Sequence, residues 1–268
     1  MSQMQPSGPE ANQTAGRKRV GLALGGGGAR GFAHIGVIRL LEREGIPIDV
    51  IAGTSAGSLV GAAYAAGLQS QELLELGLKL RWRDLGRLVW PRRGFVSFEK
   101  LERWLIHALG DLTFTDLRIP YAAVTADMAT GEQVVLQQGR LAPAVRASCS
   151  VPGIVIPVEI DGRLLSDGGA INNLPISVVR ELGADIVIAV GLSSPPGRYP
   201  KNALQMGVAA LDYLLMRAGD DPATADIYLP IPMWGLASII STSRRRRFIA
   251  LGQQTAERAL PTIRAALQ

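Results

Sequence analysis

Two short apolar runs, Val20–Leu24 and Ile48–Ala52, each end in a cluster of glycines that opens at once into a helical pattern. The first cluster, Gly25–Gly31, leads into Phe32–Glu44, which closes at Gly45. The second is Gly53–Gly57, and a helix read from Ser55 to Ala66 closes at Gly67. Strand, turn and helix repeated in this way predict a parallel sheet with helical crossovers. Downstream, Tyr121–Ala126 and Gln133–Leu136 read as strands around Thr130–Gly131, and Leu141–Ser148 as a helix stopped near Pro152. Ile154–Ile160 and Arg163–Ser166 flank Asp161–Gly162 as a hairpin. Ser177–Leu182 is helical, Ile186–Val190 is a buried strand, and a helix at Asn202–Arg217, a strand at Ile227–Leu229 and a helix at Arg247–Ala266 complete the pattern. Residues 71–110 look mostly helical around an irregular basic and aromatic stretch, RWRDLGRLVWPRRG. The fold class expected is α/β, with three layers and a mostly parallel central sheet. Residues 1–17 are polar and aperiodic and read as a disordered tail, which leaves 18–268 as one domain.

The second glycine cluster carries chemistry. Gly53-Thr54-Ser55-Ala56-Gly57 matches G-x-S-x-G between a strand and a helix, the context of a nucleophile elbow. A sharp turn there holds the serine in a strained backbone conformation with its hydroxyl exposed, and the flanking glycines let the chain fold back. The helix that follows offers its positive dipole end to developing negative charge.

The first cluster, Gly25-Gly26-Gly27-Gly28-Ala29-Arg30-Gly31, contains G-x-G-x-x-G, so dinucleotide binding must be weighed. That reading expects an acidic residue after the second strand, where this chain has Gly53-Thr54-Ser55. A phosphate loop fails too, for want of G-K-[ST]. What is left is a turn rich in free backbone N–H groups, suited to an oxyanion hole built from Gly26, Gly27, Gly28, Ala29, Arg30 and Gly31. Arg30 either adds positive charge there or is solvated beside the turn. Both turns fall at the carboxyl ends of neighbouring parallel strands, where open α/β sheets bind ligands.

A general base is harder to read. The chain has two histidines, His34 and His107, and both sit in helical patterns that read as packing positions. No histidine follows the candidate acids, so the usual order of serine, acid and histidine is absent. A carboxylate must then be considered as the direct base. Asp167, presented before Gly168 and Gly169, is best placed, while Asp127, Glu159, Asp161 and Asp185 remain open on spacing alone. An ordinary aspartate, with a pKa of about 3.9, is a weak base towards a hydroxyl and needs a desolvated site or a hydrogen bond to Ser55. Cys149, the only cysteine, reads as a buried thiol rather than a nucleophile and excludes an intrachain disulfide.

The net charge of +5 is compatible with anionic partners, but aromatics make up only 5% and do not interleave with the basic residues, which excludes a nucleic-acid stacking surface. No apolar run is long enough to span a bilayer, and the N-terminus lacks the order of a signal peptide. The expectation is a cytoplasmic protein. Trp82, Trp90, Arg92, Arg93 and the run Arg244–Arg247 have two readings, a solvated basic surface or peripheral contact with an anionic membrane at its inner face.

The segments LALGGGGARGFAHIGVI, IAGTSAGSLVGAAYAAG, AVRASCSVPG and RLLSDGGAINNLPI, in that order, resemble the patatin-like phospholipase family, in particular its small bacterial single-domain members. FIALGQQTAERALP is similar to the family's last helix. The resemblance implies hydrolysis of acyl esters in phospholipids or other lipids, through a Ser–Asp dyad that uses no histidine. Ser55 would be the nucleophile, Asp167 of the Asp-Gly-Gly motif the proton acceptor, and Gly26–Gly31 the oxyanion hole. It implies no metal and no organic cofactor. It implies nothing for Leu80–Val96.

Overall fold

The computed structural model describes residues 16–90, 93–192, 202–233 and 242–268. Most of the expected N-terminal tail lies outside these residues. Of its last two, Arg17 makes a two-pronged ion pair with Asp49 at 2.6 and 2.7 Å.

The apolar runs form the strands expected of them. The central sheet contains β1 (Val20–Leu24), β2 (Val50–Thr54), β5 (Tyr121–Asp127), β6 (Gln133–Leu136), β7 (Val158–Ile160), β8 (Arg163–Asp167), β9 (Ile186–Gly191) and β10 (Ile227–Pro230). Its order is β10-β9-β1-β2-β5-β8-β7, with β6 also paired to β5. The five strands from β10 to β5 are parallel, while β6, β7 and β8 add an antiparallel end. β1, β2, β5 and β9 are buried along their whole length, as parallel strands with both faces covered must be.

Alternation within these strands divides the core in two. Leu22, Leu24, Ile51, Ile188 and Val190 face one layer, made by α1 (Phe32–Arg43), α2 (Ala56–Ala65), α3 (Ser70–Lys79), α5 (Glu99–Leu109) and the long α9 (Arg245–Leu267). The smaller Ala23, Ala52, Ala122 and Ala189 face the other, where α7 (Ile176–Glu181) packs. The result is the three-layer α/β/α arrangement expected. The helices α1 and α9 cross with backbones almost touching, because a Cβ on Gly36 would strike the Ile249 carbonyl and one on Gly252 the Ala33 carbonyl.

Three departures from the sequence reading have local causes. The stretch 71–110 holds α3, α5 and the short α4 (Trp82–Leu85), but also an antiparallel ribbon of β3 (Arg87–Leu88) and β4 (Val96–Ser97) separate from the main sheet. The strand expected at Ile154–Ile160 shortens to Val158–Ile160: Pro157 cannot donate to a ladder, and Val155 bridges Val96 of the ribbon instead. The last helix starts at Arg245, two residues early, because Arg245 itself caps α3 by donating to the Leu78 and Leu80 carbonyls at 2.7 Å. The remaining helices are α6 (Leu141–Ser148) and α8 (Ala203–Met216).

Candidate active site

Strand register decides which carboxylate meets Ser55. Thr54, the last residue of β2, pairs with Val124 of β5, and Asp167, the last residue of β8, pairs with the next residue along, Thr125. β6 occupies the other edge of β5 over these residues. β2 and β8 therefore approach from opposite directions along one edge and end against each other. Ser55 and Asp167 are the residues at that junction, and the Ser55 side chain lies close enough to the Asp167 carboxylate to favour its ionised form.

Ser55 has φ 54° and ψ −122°, the left-handed region that a side chain rarely enters. The strain is held by neighbours. Its N–H donates to Ser148 Oγ at 3.0 Å, and that hydroxyl donates in turn to the Val124 carbonyl at 2.7 Å. Its carbonyl accepts from the Cys149 thiol at 3.2 Å. Both backbone groups of the serine are thus gripped by consecutive side chains at the end of α6. Thr54 Oγ1 donates to the Asn172 carbonyl at 2.9 Å. Gly53 and Gly57 are required by space: a Cβ on Gly53 would lie 2.6 Å from Gly57 backbone, and one on Gly57 would strike the Leu24 carbonyl. Ala56 begins α2 and packs where Gly31 has no side chain.

Asp167 is buried. Its Oδ1 accepts from the Gly169 N–H at 2.8 Å, and its own N–H donates to the Ser150 carbonyl. Burial pushes its carboxyl up to about 6, against the lowering effect of the nearby Ser55 side chain and of the Gly169 N–H. Gly168 lets the loop lie on Val124, since a Cβ there would come within 2.6 Å of that carbonyl. Beyond it, Asn172 and Ser177 both donate to the Asp220 carboxylate, which ties the loop down. The rival carboxylates are engaged elsewhere. Asp127 accepts from Ala129 N–H in a turn, Asp161 sits at φ 50° in the β7–β8 turn, Asp185 accepts from Arg19 N–H, and Glu159 is exposed.

The glycine turn lies against the serine, with a Cβ on Gly26 falling 3.1 Å from Ser55 Cβ. Not all of its amides are available. Gly25 donates to Val190, Gly26 to Asn173 and Arg30 to Gly27. The N–H groups of Gly27, Gly28 and Ala29 have no acceptor among the described residues. The Arg30 side chain is not solvated beside the turn: it is buried and directs Nη1 at the Leu192 carbonyl, 3.5 Å away.

Neither histidine bonds to Ser55 or Asp167. His34 is fully buried and its Nε2–H donates to the Gly25 carbonyl at 2.8 Å. Burial pushes its pKa down to about 4, so the ring is neutral, and its Nδ1 has no partner among the described residues. His107 is exposed on α5. Burial, with the Asp167 charge nearby, also pushes the Cys149 thiol well above its ordinary range, which leaves it protonated and no nucleophile.

Ser55 opens on a cavity of about 150 Å³ walled almost wholly by apolar side chains from α1, α2, α3 and α5. Gly28 and Ala29 line it beside the serine, and Phe32, Leu73, Leu101 and Trp104 lie deeper in the helical layer. Of the basic and aromatic residues singled out from the sequence, Trp90 and Arg93 are exposed near this region, Arg92 lies outside the described residues, and Arg245 is spent on α3. Among the described residues no cluster of metal-binding side chains occurs and no helix is long and apolar enough to cross a membrane. The sequence reading missed Ser148, Asn172 and Asp220. Their contacts span more than 40 residues of chain, and a serine or asparagine in a loop carries no local sign of such a role.

Known proteins resemble this chain in sequence and in fold. An uncharacterised NTE-family protein of Mycobacterium tuberculosis is 43% identical over 178 residues, 65% of this chain and 49% of that protein. Lysophospholipase NTE1 of Saccharomyces cerevisiae is 35% identical over 190 residues, 68% of this chain but 11% of that protein. The chain thus matches half or less of the length of these relatives. Two solved structures share the fold. VipD of Legionella pneumophila superposes with a TM-score of 0.56 at 15% identity over 94% of this chain and 69% of its own. The type III effector ExoU of Pseudomonas aeruginosa gives 0.55 at 14% identity over 92% of this chain and 53% of its own. The profile of patatin-like phospholipases matches residues 22–180, well over half of the sequence and the whole of the serine–aspartate junction, and the chain belongs to that family.

Proposed function

We propose that this protein hydrolyses acyl ester bonds of lipids through a covalent acyl-enzyme on Ser55. The observation that carries the reading is a strained serine that faces a buried carboxylate and opens on an apolar cavity. In the first half-reaction Ser55 Oγ attacks the ester carbonyl while Asp167 takes its proton. The tetrahedral oxyanion is held by the free amides of the glycine turn, which narrows the expected set to Gly27, Gly28 and Ala29, since the Gly26 and Arg30 amides are committed to carbonyls. The N-terminus of α2 points its dipole at the same place. Asp167 returns its proton to the leaving alcohol, and the acyl chain stays on Ser55. Asp167 then deprotonates a water that attacks the acyl-enzyme, which releases a fatty acid and restores the serine. A carboxyl raised to about 6 by burial is a stronger base than a surface aspartate and is still mostly ionised at neutral pH. No residue has to contribute a metal or an organic cofactor to these steps.

The apolar cavity supports an acyl chain as the recognised group, and the name of the yeast relative makes a lysophospholipid a sensible first substrate. Contact with an anionic membrane belongs to the same reading. The test is a panel of lysophospholipids, phospholipids and short-chain esters, assayed with the wild-type protein, Ser55→Ala and Asp167→Ala. Release of fatty acid by the wild type alone supports the reading, and full activity in Ser55→Ala overturns it.

A further inference from the structure

The ribbon of β3 and β4 is an anomaly in this fold. A two-stranded ribbon has little stability of its own in water, and this one turns large apolar side chains outward. Leu88 is 84% exposed, Trp90 85% and Phe95 57%, and beside them Ile154 is 51% exposed. They are half of the eight large hydrophobic residues exposed among the described residues, and they are neighbours. Val89 N–H donates to the Phe95 carbonyl across the ribbon, and Phe95 N–H donates to the Ile154 carbonyl at 2.8 Å. Scattered exposed apolar residues need no explanation, but a contiguous group of this size marks a contact surface.

Its position and charge indicate the occupant. Leu85 and Phe98, at the two roots of the ribbon, line the cavity that holds Ser55, as does Val151, three residues before Ile154. The ribbon therefore rises from the rim of the cavity. Between Arg81 and Arg103 the chain has seven basic and three acidic residues, so this stretch holds four of the net five positive charges. Arg87 and Arg93 on the ribbon are exposed, and Arg87 shares its charge with Glu99 at 3.1 Å. Arg244, Arg246 and Arg247 are exposed at the start of α9, just after Thr242, which also lines the cavity. Exposed Trp and Leu beside arginines are the composition of a surface that sits in the headgroup region of a bilayer.

We propose that Leu88, Trp90, Phe95 and Ile154 dock this protein onto an anionic lipid surface, with the surrounding arginines drawn to the headgroups. Docking sets the rim of the cavity against the membrane, so that an acyl ester reaches Ser55 without crossing bulk water. The inference rests on the cavity being the site of lipid hydrolysis, and its test keeps the two ideas apart.

The test is sedimentation of the whole protein with vesicles of phosphatidylglycerol and phosphatidylcholine in equal parts, and with phosphatidylcholine alone. The wild type is expected to bind the anionic vesicles more tightly, with the preference shrinking as salt rises. The double variant Leu88→Asp with Trp90→Asp changes only exposed side chains. It is expected to lose about tenfold or more in vesicle binding, and Arg93→Gln a smaller part of it. Hydrolysis of a water-soluble short-chain ester, which needs no surface, stays at the wild-type level in all three proteins and shows that they are folded. Binding of the double variant equal to that of the wild type, or wild-type binding without preference for anionic vesicles, overturns the proposal. A wild-type protein that binds vesicles as expected but leaves the soluble ester intact supports docking and removes the hydrolase reading instead.

Discussion

Ser55 and Asp167 meet because β2 and β8 run in opposite directions along one edge of β5 and stop one residue apart, at Val124 and Thr125. A parallel strand ends at the serine and an antiparallel strand ends at the carboxylate, so the two residues come together at one point of the sheet. The Ser55 side chain faces the carboxylate directly, and neither histidine bonds to either residue.

Asp167→Asn separates activity from stability. The carboxyl is raised from 3.8 to about 6 in the folded protein, so the folded state binds the extra proton between those values. Stability therefore falls as pH rises through that window, and at neutral pH the buried charge costs about 3 kcal/mol. Asparagine keeps an acceptor for Gly169 and removes the charge. The variant is expected to lose on the order of 10²–10⁴ in kcat, yet to unfold at a higher denaturant concentration than the wild type at pH 7. The gain should vanish by about pH 4.

The same ionisation sets the pH profile of the reaction. Asp167 must be unprotonated to accept the serine proton, so kcat/KM for a soluble ester is expected to rise as pH increases through about 6 and then to level off. A profile governed by a group near the histidine range with no change in Asp167→Glu would point to a different base.

His34 acts with the opposite sign. Its pKa is pushed down to about 4 by burial, so the unfolded chain binds a proton that the folded one does not between 4 and the unfolded value of 6.5. Stability is lost as pH falls through that range, by about 3 kcal/mol in all. His34→Gln keeps a donor for the Gly25 carbonyl. It is expected to be less stable than the wild type at pH 7, with the difference closing as the pH is lowered. Denaturant titrations at several pH values check this.

Ser148 holds the backbone of Ser55 and does not line the cavity. Ser148→Ala leaves the Ser55 N–H and the Val124 carbonyl without their partner inside the protein, at a cost of about 1–3 kcal/mol. Release of the strained turn is expected to lower kcat by about tenfold or more with little change in KM. Cys149→Ala, which removes one weak thiol hydrogen bond, should have a smaller effect. Steady-state kinetics on one soluble ester compare the two.

How much of this is visible in the sequence depends on whether the signal is local. Ser55 is legible because its requirements are all within five residues: a strand before it, glycines on either side and a helix after it. Asp167 is not distinguishable from Asp127 or Asp161 by local pattern, since each sits at the end of a strand or in a turn. What selects it is the register of β8 on β5, which depends on the whole sheet. The family resemblance named Asp167, the carboxylate that this register brings to Ser55, where spacing left several open. The ribbon at Arg87–Ser97 escaped for a different reason, because strands of two residues have no periodicity to detect. Ile154–Ile160 erred in the other direction: the run is apolar enough for a strand, but its first residues are bound to the ribbon.

The central claim is that Ser55 is the atom acylated during turnover. Labelling the protein with a fluorophosphonate and locating the adduct by peptide mass spectrometry tests it most directly. The account predicts one modification, on the peptide that contains Ser55, lost in Ser55→Ala and strongly slowed in Asp167→Asn. A label on Cys149 or another residue, or undiminished labelling of Ser55→Ala, would contradict it.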